Sequence, residues 1–505
     1  MTNLAIRNAW EKLAALPTAE LSALFSDSTR LGKLSSRLAL PGGDILFDWS
    51  KTHLDDGLLS GFEDLAKLCD FAGKRAALFG GEIVNETEGR PAGHPAERGT
   101  GDEAAAEEAH ALHQRMRLIT DAIHQGALGQ IRHCIHIGIG GSALGPALAI
   151  DALARDIALV DVHVVSNVDG CALEKAFAAC DPSTTLIAIA SKTFTTTETL
   201  TNAASALDWL RGHGVSDPYG QVVALTADPD KAVAWGVDET RILPFREAVG
   251  GRYSLWSSIG FPIALALGWD EFAALLEGAA AMDRHFLEAD GAANLCLRAA
   301  FADQYYTRLR GCQTRAVFAY DDRLALLPSY LQQLEMESNG KGVTAQGEPV
   351  DGPTAPITWG GVGTDAQHAV FQLLHQGTVL VPVDFIASIQ PGDALDPVHH
   401  QTLLANCFAQ GAALMAGRAG ADPARSYPGN RPSATILVEE LNAATLGALI
   451  AFHEQRTFCN AVLMGINPFD QFGVELGKEI AKSIGEGKAR FDASTEALLH
   501  AAGIQ

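Results

Sequence analysis

The chain has 505 residues, 47% of them apolar and 7% aromatic, and a formal charge of −23. That apolar content excludes a disordered polymer, and the length exceeds one ordinary core, so two or three α/β lobes are expected. The acidic surface argues against binding nucleic acid or anionic membranes, and an anionic ligand must meet a local cluster of cations, hydroxyls or helix N-termini. The eight cysteines are scattered and form no C-x-x-C pair. They read as reduced thiols of a cytoplasmic protein, not as a disulfide frame or a zinc ribbon.

Met1–Leu16 has the pattern of an amphipathic helix without an apolar signal core, and no run of 18 uncharged apolar residues follows anywhere. The pattern stays helical to about residue 75, with a short strand at Ile45–Trp49. Glu88–Asp102, rich in Gly, Pro, Glu and Arg, reads as an exposed loop. From about residue 115 strand, turn and helix alternate, with strands at Ile131–Ile137, Asp161–Ser166, Thr185–Ala190 and Val222–Thr226. A second set comprises Ala316–Tyr320, Ile357–Trp359, Val379–Phe385 and Ala434–Glu439. Short apolar strands alternating with helices imply parallel-rich sheets covered on both faces, an α/β fold of two lobes. The expected division is a helical segment over 1–110 packed on the larger lobe, a first lobe over 111–280, and a larger second lobe with C-terminal helices over 281–505. Ligands of such folds sit at the carboxyl ends of strands.

Two candidate anion loops occupy such ends. Gly138-Ile139-Gly140-Gly141-Ser142 lies between a strand and a helix, where glycines admit a ligand and free N–H groups favour an anion. With Ala143 it also fits the dinucleotide pattern G-x-G-x-x-(G/A), Asp161 or Asp169 standing at a tolerable distance for a ribose, so the loop alone does not choose between ligands. The second loop, Ser191-Lys192-Thr193-Phe194-Thr195-Thr196-Thr197-Glu198, gathers one cation and five hydroxyls at another strand-to-helix junction. Helix capping needs one or two of those hydroxyls and leaves Lys192 unexplained, so a bare monophosphate is the better fit. No G-x-x-x-x-G-K-(S/T) is present, which argues against a nucleoside triphosphate.

Four further residues are unremarkable singly. Glu337 ends a short helix opened by Pro328, Arg252 lies in the turn Val249-Gly250-Gly251-Arg252-Tyr253-Ser254, His368 stands near a helix start, and Lys478 follows Gly477. Taken alone, each reads as solvated surface or a salt-bridge partner. Their company changes that reading. The Arg252 turn and Phe469-Asp470-Gln471-Phe472-Gly473-Val474-Glu475-Leu476-Gly477-Lys478 are the most specific of an ordered series. Asp48-Trp49-Ser50-Lys51, Gly81–Glu88, Val165–Gly170, the Ser-Lys-Thr loop, Met336-Glu337-Ser338-Asn339-Gly340-Lys341, Gln367-His368-Ala369 and Gly429-Asn430-Arg431-Pro432 complete it.

Together these segments resemble the phosphoglucose isomerase (glucose-6-phosphate isomerase) family. The resemblance implies two sugar-isomerase-type α/β/α lobes, a homodimer, and reversible interconversion of glucose 6-phosphate and fructose 6-phosphate through a cis-enediol. It assigns the phosphate to Gly141, Ser142, Ser191, Lys192, Thr193 and Thr196. Glu337 is then the base and Arg252 its electrostatic helper, His368 and Lys478 assist ring opening, and Gln333 and Gln471 line the site. His368 would serve the partner subunit's site. Ala143 and Glu335 depart from the family pattern, which has Asp at both places.

No cofactor and no catalytic metal are expected, because His399-His400 is the only adjacent histidine pair and no ligand-spaced acid series accompanies it. A hydrogen therefore moves between C1 and C2 as a proton. Three rivals stand beside this reading: a dual-specificity phosphoglucose/phosphomannose isomerase, a non-catalytic sugar-phosphate regulator, and a nicotinamide dehydrogenase resting on the Gly138 loop alone.

Overall fold

The computed structural model describes residues 2–487 and 490–504. It forms two compact units, Met1–Pro468 and Phe469–Gln505. Among the described residues the first holds both sheets; the second contributes the helices Glu475–Gly485 and Ala493–Ala502 and is described by itself.

The first unit opens with the helix Thr2–Ala14 and an antiparallel hairpin, β1 (Ser35–Leu38) and β2 (Ile45–Asp48). Five parallel strands follow: β3 (His133–Ile137), β4 (Asp161–Val165), β5 (Thr185–Ala190), β6 (Val222–Thr226) and β7 (Ile242–Pro244). They lie in the order β4-β3-β5-β6-β7. Every residue of β5 and β6 is buried, as continuous apolar runs in a sheet covered on both faces require. The second sheet is built from β8 (Thr314–Tyr320), β9 (Ile357–Val362), β10 (Val383–Ser388) and β11 (Ser433–Val438), parallel among themselves. The N-terminal hairpin joins it antiparallel through β2 and β11, giving the order β1-β2-β11-β10-β8-β9.

Most expected strands lie where the apolar runs placed them. β10 starts four residues later than its run, at Val383 rather than Val379. The residue before it is Pro382, which has no N–H to give a ladder and offers only its carbonyl, to Ala316. A clearer correction concerns Glu88–Asp102. Ala92–Arg98 is buried, with His94–Glu97 wound as one helical turn. Polar composition misled because the arginine there is paired inside the protein. Arg98 bonds Asp283 at 2.7 and 2.8 Å and also pairs with Glu454, and His94 stacks on Tyr253 with ring centroids 4.6 Å apart.

The helix Ala443–Met464 is buried along its whole length, the condition in which a helix has no outward face. It lies against the helix Trp269–Glu288. A Cβ added at Gly278 would run into the Ala444 carbonyl, and one at Gly447 into that of Leu275, so the two backbones meet where only glycine fits. The charged residues of this helix are all paired. Arg456 bonds Asp303 and Asp384, and Glu454 accepts from Trp256 and Arg98, as buried charge demands.

Candidate functional site

The strand order β4-β3-β5-β6-β7 reverses direction at β3, because the chain moves from β3 to β4 on one side and then to β5 on the other. The crevice between the carboxyl ends of β3 and β5 is therefore the switch point at which open α/β sheets hold ligands. Both candidate anion loops lie there. The first leaves β3 at Gly138 and enters the helix Gly141–Leu153. Its cap, Gly140, has φ 59° and no side chain, so the first N–H groups of the helix have no side-chain cap. A Cβ at 140 would meet the Gln333 amide nitrogen at 2.9 Å, and one at 141 would run into the backbone of Gly251 and Arg252. Gly141 is thus required by the arginine turn, a reason that owes nothing to a dinucleotide. The Ser142 carbonyl accepts from the buried His136 ring at 2.7 Å, which steadies the turn.

The second loop leaves β5 at Ser191 and enters the helix Thr197–Gly212. Thr196 stands at the cap position but makes no side-chain cap bond. Its hydroxyl lies 3.2 Å from that of the buried Ser191, and the Thr193 and Thr195 hydroxyls are 2.7 Å apart. The hydroxyls are therefore not consumed by capping, the bland explanation for a Ser/Thr-rich loop. Phe194 anchors the loop. It is buried at φ 48° and edge-on to Trp235, while Thr193 and Thr195 on either side are exposed. Lys192 Nζ donates to the carbonyls of Glu247 at 2.6 Å and Val249 at 3.1 Å. Burial, with Arg90 nearby, pushes its ammonium down to about 8. The cation of the second loop is thus tied to the segment that leads into Arg252.

Arg252 lies in a 3₁₀ turn, Gly251–Trp256, and is buried. Its Nε donates to Ser338 Oγ at 2.6 Å and its Nη2 to the Pro468 carbonyl. Its Nη1 stands 3.7 Å from a carboxylate oxygen of Glu337, whose side chain is 20% exposed. Glu337 ends a π-helical segment, Gln332–Glu337, that continues the helix Leu327–Leu331. Such widened, under-wound turns are frequent at functional sites. Here the segment sends Gln333 toward the glycine loop and Glu337 toward Arg252. Tyr253 supports the pair, its hydroxyl 3.0 Å from Ser338 Oγ. The result is a partly solvated carboxylate beside a fixed, buried guanidinium. Two anion loops adjoin it, touching the same arginine turn from different strands.

The structure thus brings together Gly141, Ser142, Ser191, Lys192, Thr193, Thr196, Arg252, Gln333 and Glu337 within the first unit. His368 is exposed on the helix Asp365–Gln376, and among the described residues no hydrogen bond or ion pair engages its ring. Lys478, exposed on Glu475–Gly485, and Gln471, which precedes the turn Phe472–Val474, belong to the second unit. The two departures from the family pattern are both buried. Ala143 lies in the first turn of its helix, and Glu335 accepts from Arg315 and from Thr358 Oγ1 at 2.6 Å. Several positioning groups had no assigned role in the sequence: the side chains of Ser338 and Tyr253, and the carbonyls of Glu247, Val249 and Pro468. Ser338 follows Glu337 directly, a signal that was available; backbone carbonyls leave none.

Comparison with known proteins agrees with this geometry. The family described as phosphoglucose isomerase matches residues 48–499. A protein of Novosphingobium aromaticivorans called glucose-6-phosphate isomerase is 71% identical over 98% of this chain and 98% of its own length. One of the same name from Erythrobacter litoralis is 70% identical over 98% and 99%. Among solved structures, a glucose-6-phosphate isomerase from Chlamydia trachomatis superposes with a TM-score of 0.89 at 30% identity, covering 100% of this chain and 99% of that one.

Proposed function

This chain belongs to the phosphoglucose isomerase family, and we propose that it is an aldose–ketose isomerase that interconverts glucose 6-phosphate and fructose 6-phosphate. The observation that carries the reading is the shared contact of both anion loops with the arginine turn. A phosphate held by Ser191, Lys192, Thr193, Thr196 and the Gly141–Ser142 helix start lies on one side of Arg252, and the Glu337 carboxylate on the other. A sugar phosphate anchored there by its phosphate would present its reacting carbons to the carboxylate.

Glu337 takes the proton from C2 of the aldose, or C1 of the ketose, and returns it to the neighbouring carbon. An ordinary carboxylate is a weak base toward a carbon acid, so the enediolate that forms must be stabilised as it forms. The Arg252 guanidinium, fixed by Ser338 and Pro468 before any substrate arrives, offers charge without reorganisation; one aimed charge of this kind is worth on the order of 10²–10³ in rate. The phosphate end is remote from the bond changes, and its binding energy orients the carbons above Glu337. Gln333 lines the same crevice; the resemblance assigns ring opening to His368 and Lys478 and gives Gln471 a place in the site wall. His368 is exposed on its own protomer, which suits a residue given to a partner in a homodimer. No helix among the described residues is long and apolar enough to cross a membrane. The acidic composition and the free cysteines support a cytoplasmic enzyme with no nucleic-acid partner.

Glu337→Gln is the direct test. Isomerisation should fall by at least 10³ while fructose 6-phosphate still binds, measured by turnover and by calorimetry on the same protein. An equal loss of binding would remove Glu337 from the role of base. Turnover should persist in chelator, and solvent deuterium should enter the product at C1 or C2.

A further inference from the structure

The opposite end of the five-stranded sheet carries a second constellation. His133 opens β3, and Asp161 lies across from it on β4. Side chains alternate along a strand, so His133, Ile135 and Ile137 share one face with Asp161, His163 and Val165. That face is apolar for most of its length, with Ile135, Ile137 and Val165 packed against Leu173 and Ala176 of the helix Gly170–Ala179. At its rim the apolar layer gives way to the two imidazoles. Cys180, the residue that ends the helix, meets them there: one ring nitrogen of each histidine and Cys180 Sγ all lie within 4.8 Å of one another. His133 Nδ1 is buried without a hydrogen-bond partner. An Asp161 carboxylate oxygen stands 3.9 Å from it, beyond hydrogen-bond reach.

We propose that His133, His163 and Cys180 form a binding site for zinc or a divalent cation of similar softness, with Asp161 placed to supply a fourth ligand. Two imidazoles and a thiolate are the donor set such an ion prefers. In a tetrahedral zinc site at roughly 2.0–2.3 Å from each ligand, donor atoms stand about 3.3–3.8 Å apart. Side-chain rotations at a partly solvated rim supply the remaining closure of about 1 Å. On binding, the Cys180 S–H bond breaks, the sulfur binds the metal as thiolate, and one proton leaves to solvent. The orphaned His133 nitrogen gains a partner. No redox step is involved.

The glycine loop lies at the other end of β3, roughly 15 Å away for a five-residue strand. An ion here ties β3, β4 and the connection into β5 without reaching the isomerase crevice. Its effect is on stability, and its presence is independent of the reaction proposed above. The alternative is that the three side chains merely finish the edge of the core.

Cobalt(II) titration of the full-length, metal-stripped protein separates the two. The expected result is one ion per chain with a sulfur-to-cobalt charge-transfer band and strong visible bands of tetrahedral geometry. Cys180→Ser should remove the charge-transfer band. His133→Ala and His163→Ala should each weaken zinc binding by on the order of tenfold or more, read by competition with a chromophoric chelator. Cys171→Ser, which alters the exposed thiol of the same helix, should change nothing. Zinc should raise Tm of the wild type but not of Cys180→Ser, with turnover as the check that each variant is folded. A purely octahedral cobalt spectrum, or zinc affinity equal in the wild type and the Cys180→Ser protein, would overturn the proposal.

Discussion

Arg252 reaches the crevice already held on two sides, by Ser338 Oγ and by the Pro468 carbonyl, which leaves Nη1 to face Glu337. That arrangement was half legible. The turn Gly250-Gly251-Arg252 could be picked out by its pattern, but nothing in the sequence says that Gly251 must meet Gly141, because the two lie on different elements. Lys192 shows the same division. Its place among five hydroxyls marked it as an anion ligand, whereas its burial against Glu247 and Val249 depends on tertiary packing. Burial makes Lys192 a titrating group in a useful range. In the free protein its ammonium loses its proton near pH 8, below the ordinary lysine value, and only the charged form attracts a phosphate dianion. The folded value is depressed, so the unfolded chain binds the extra proton between about 8 and the ordinary lysine range, and stability rises with pH across that window. Substrate capture moves the other way. We expect kcat/KM to fall through an apparent pKa of about 8, and Lys192→Arg, whose charge persists, to remove that limb. A limb unchanged in the arginine variant would assign it to another group.

At the scale of elements, the strands were readable because a strand buried on both faces leaves an uninterrupted apolar run, as β5 and β6 do. What could not be read was which polar segments are inside. Ala92–Arg98 looks solvated and is buried, since its arginine is neutralised by Asp283 and Glu454, nearly two hundred and more than three hundred residues away. The π-helical winding of Gln332–Glu337 was also hidden; an extra residue in a turn follows from packing, not from periodicity. The paired glycines of the helices Trp269–Glu288 and Ala443–Met464 make a sharper case. A Cβ at Gly278 meets backbone that cannot rotate aside. Gly278→Ala should therefore cost about 3 kcal/mol or more in urea unfolding, although alanine is the better helix former. Gly212→Ala, with nothing within 4 Å of the added carbon, should stay within about 1 kcal/mol of zero. Equal effects at the two positions would mean that the helices separate more easily than their contact implies.

At the scale of the whole molecule, the order of motifs identified the family although no single motif did, because one crevice draws on residues 138–142, 191–196, 247–252 and 333–338. Residues beyond that crevice need a different argument. His368 is solvent-exposed on the protomer that carries it, and a site completed by a partner has a testable arithmetic. Glu337→Gln and His368→Ala should each be nearly inactive alone. In a mixed dimer one site inherits both defects, while the other combines an intact Glu337 with the partner's intact histidine and is wild type. Random exchange of subunits makes half the dimers mixed, each with one working site of two. Dissociating and reassociating equal amounts of the two variants should restore about one quarter of wild-type turnover. If His368 served its own protomer, every site would keep one defect and mixing would restore nothing.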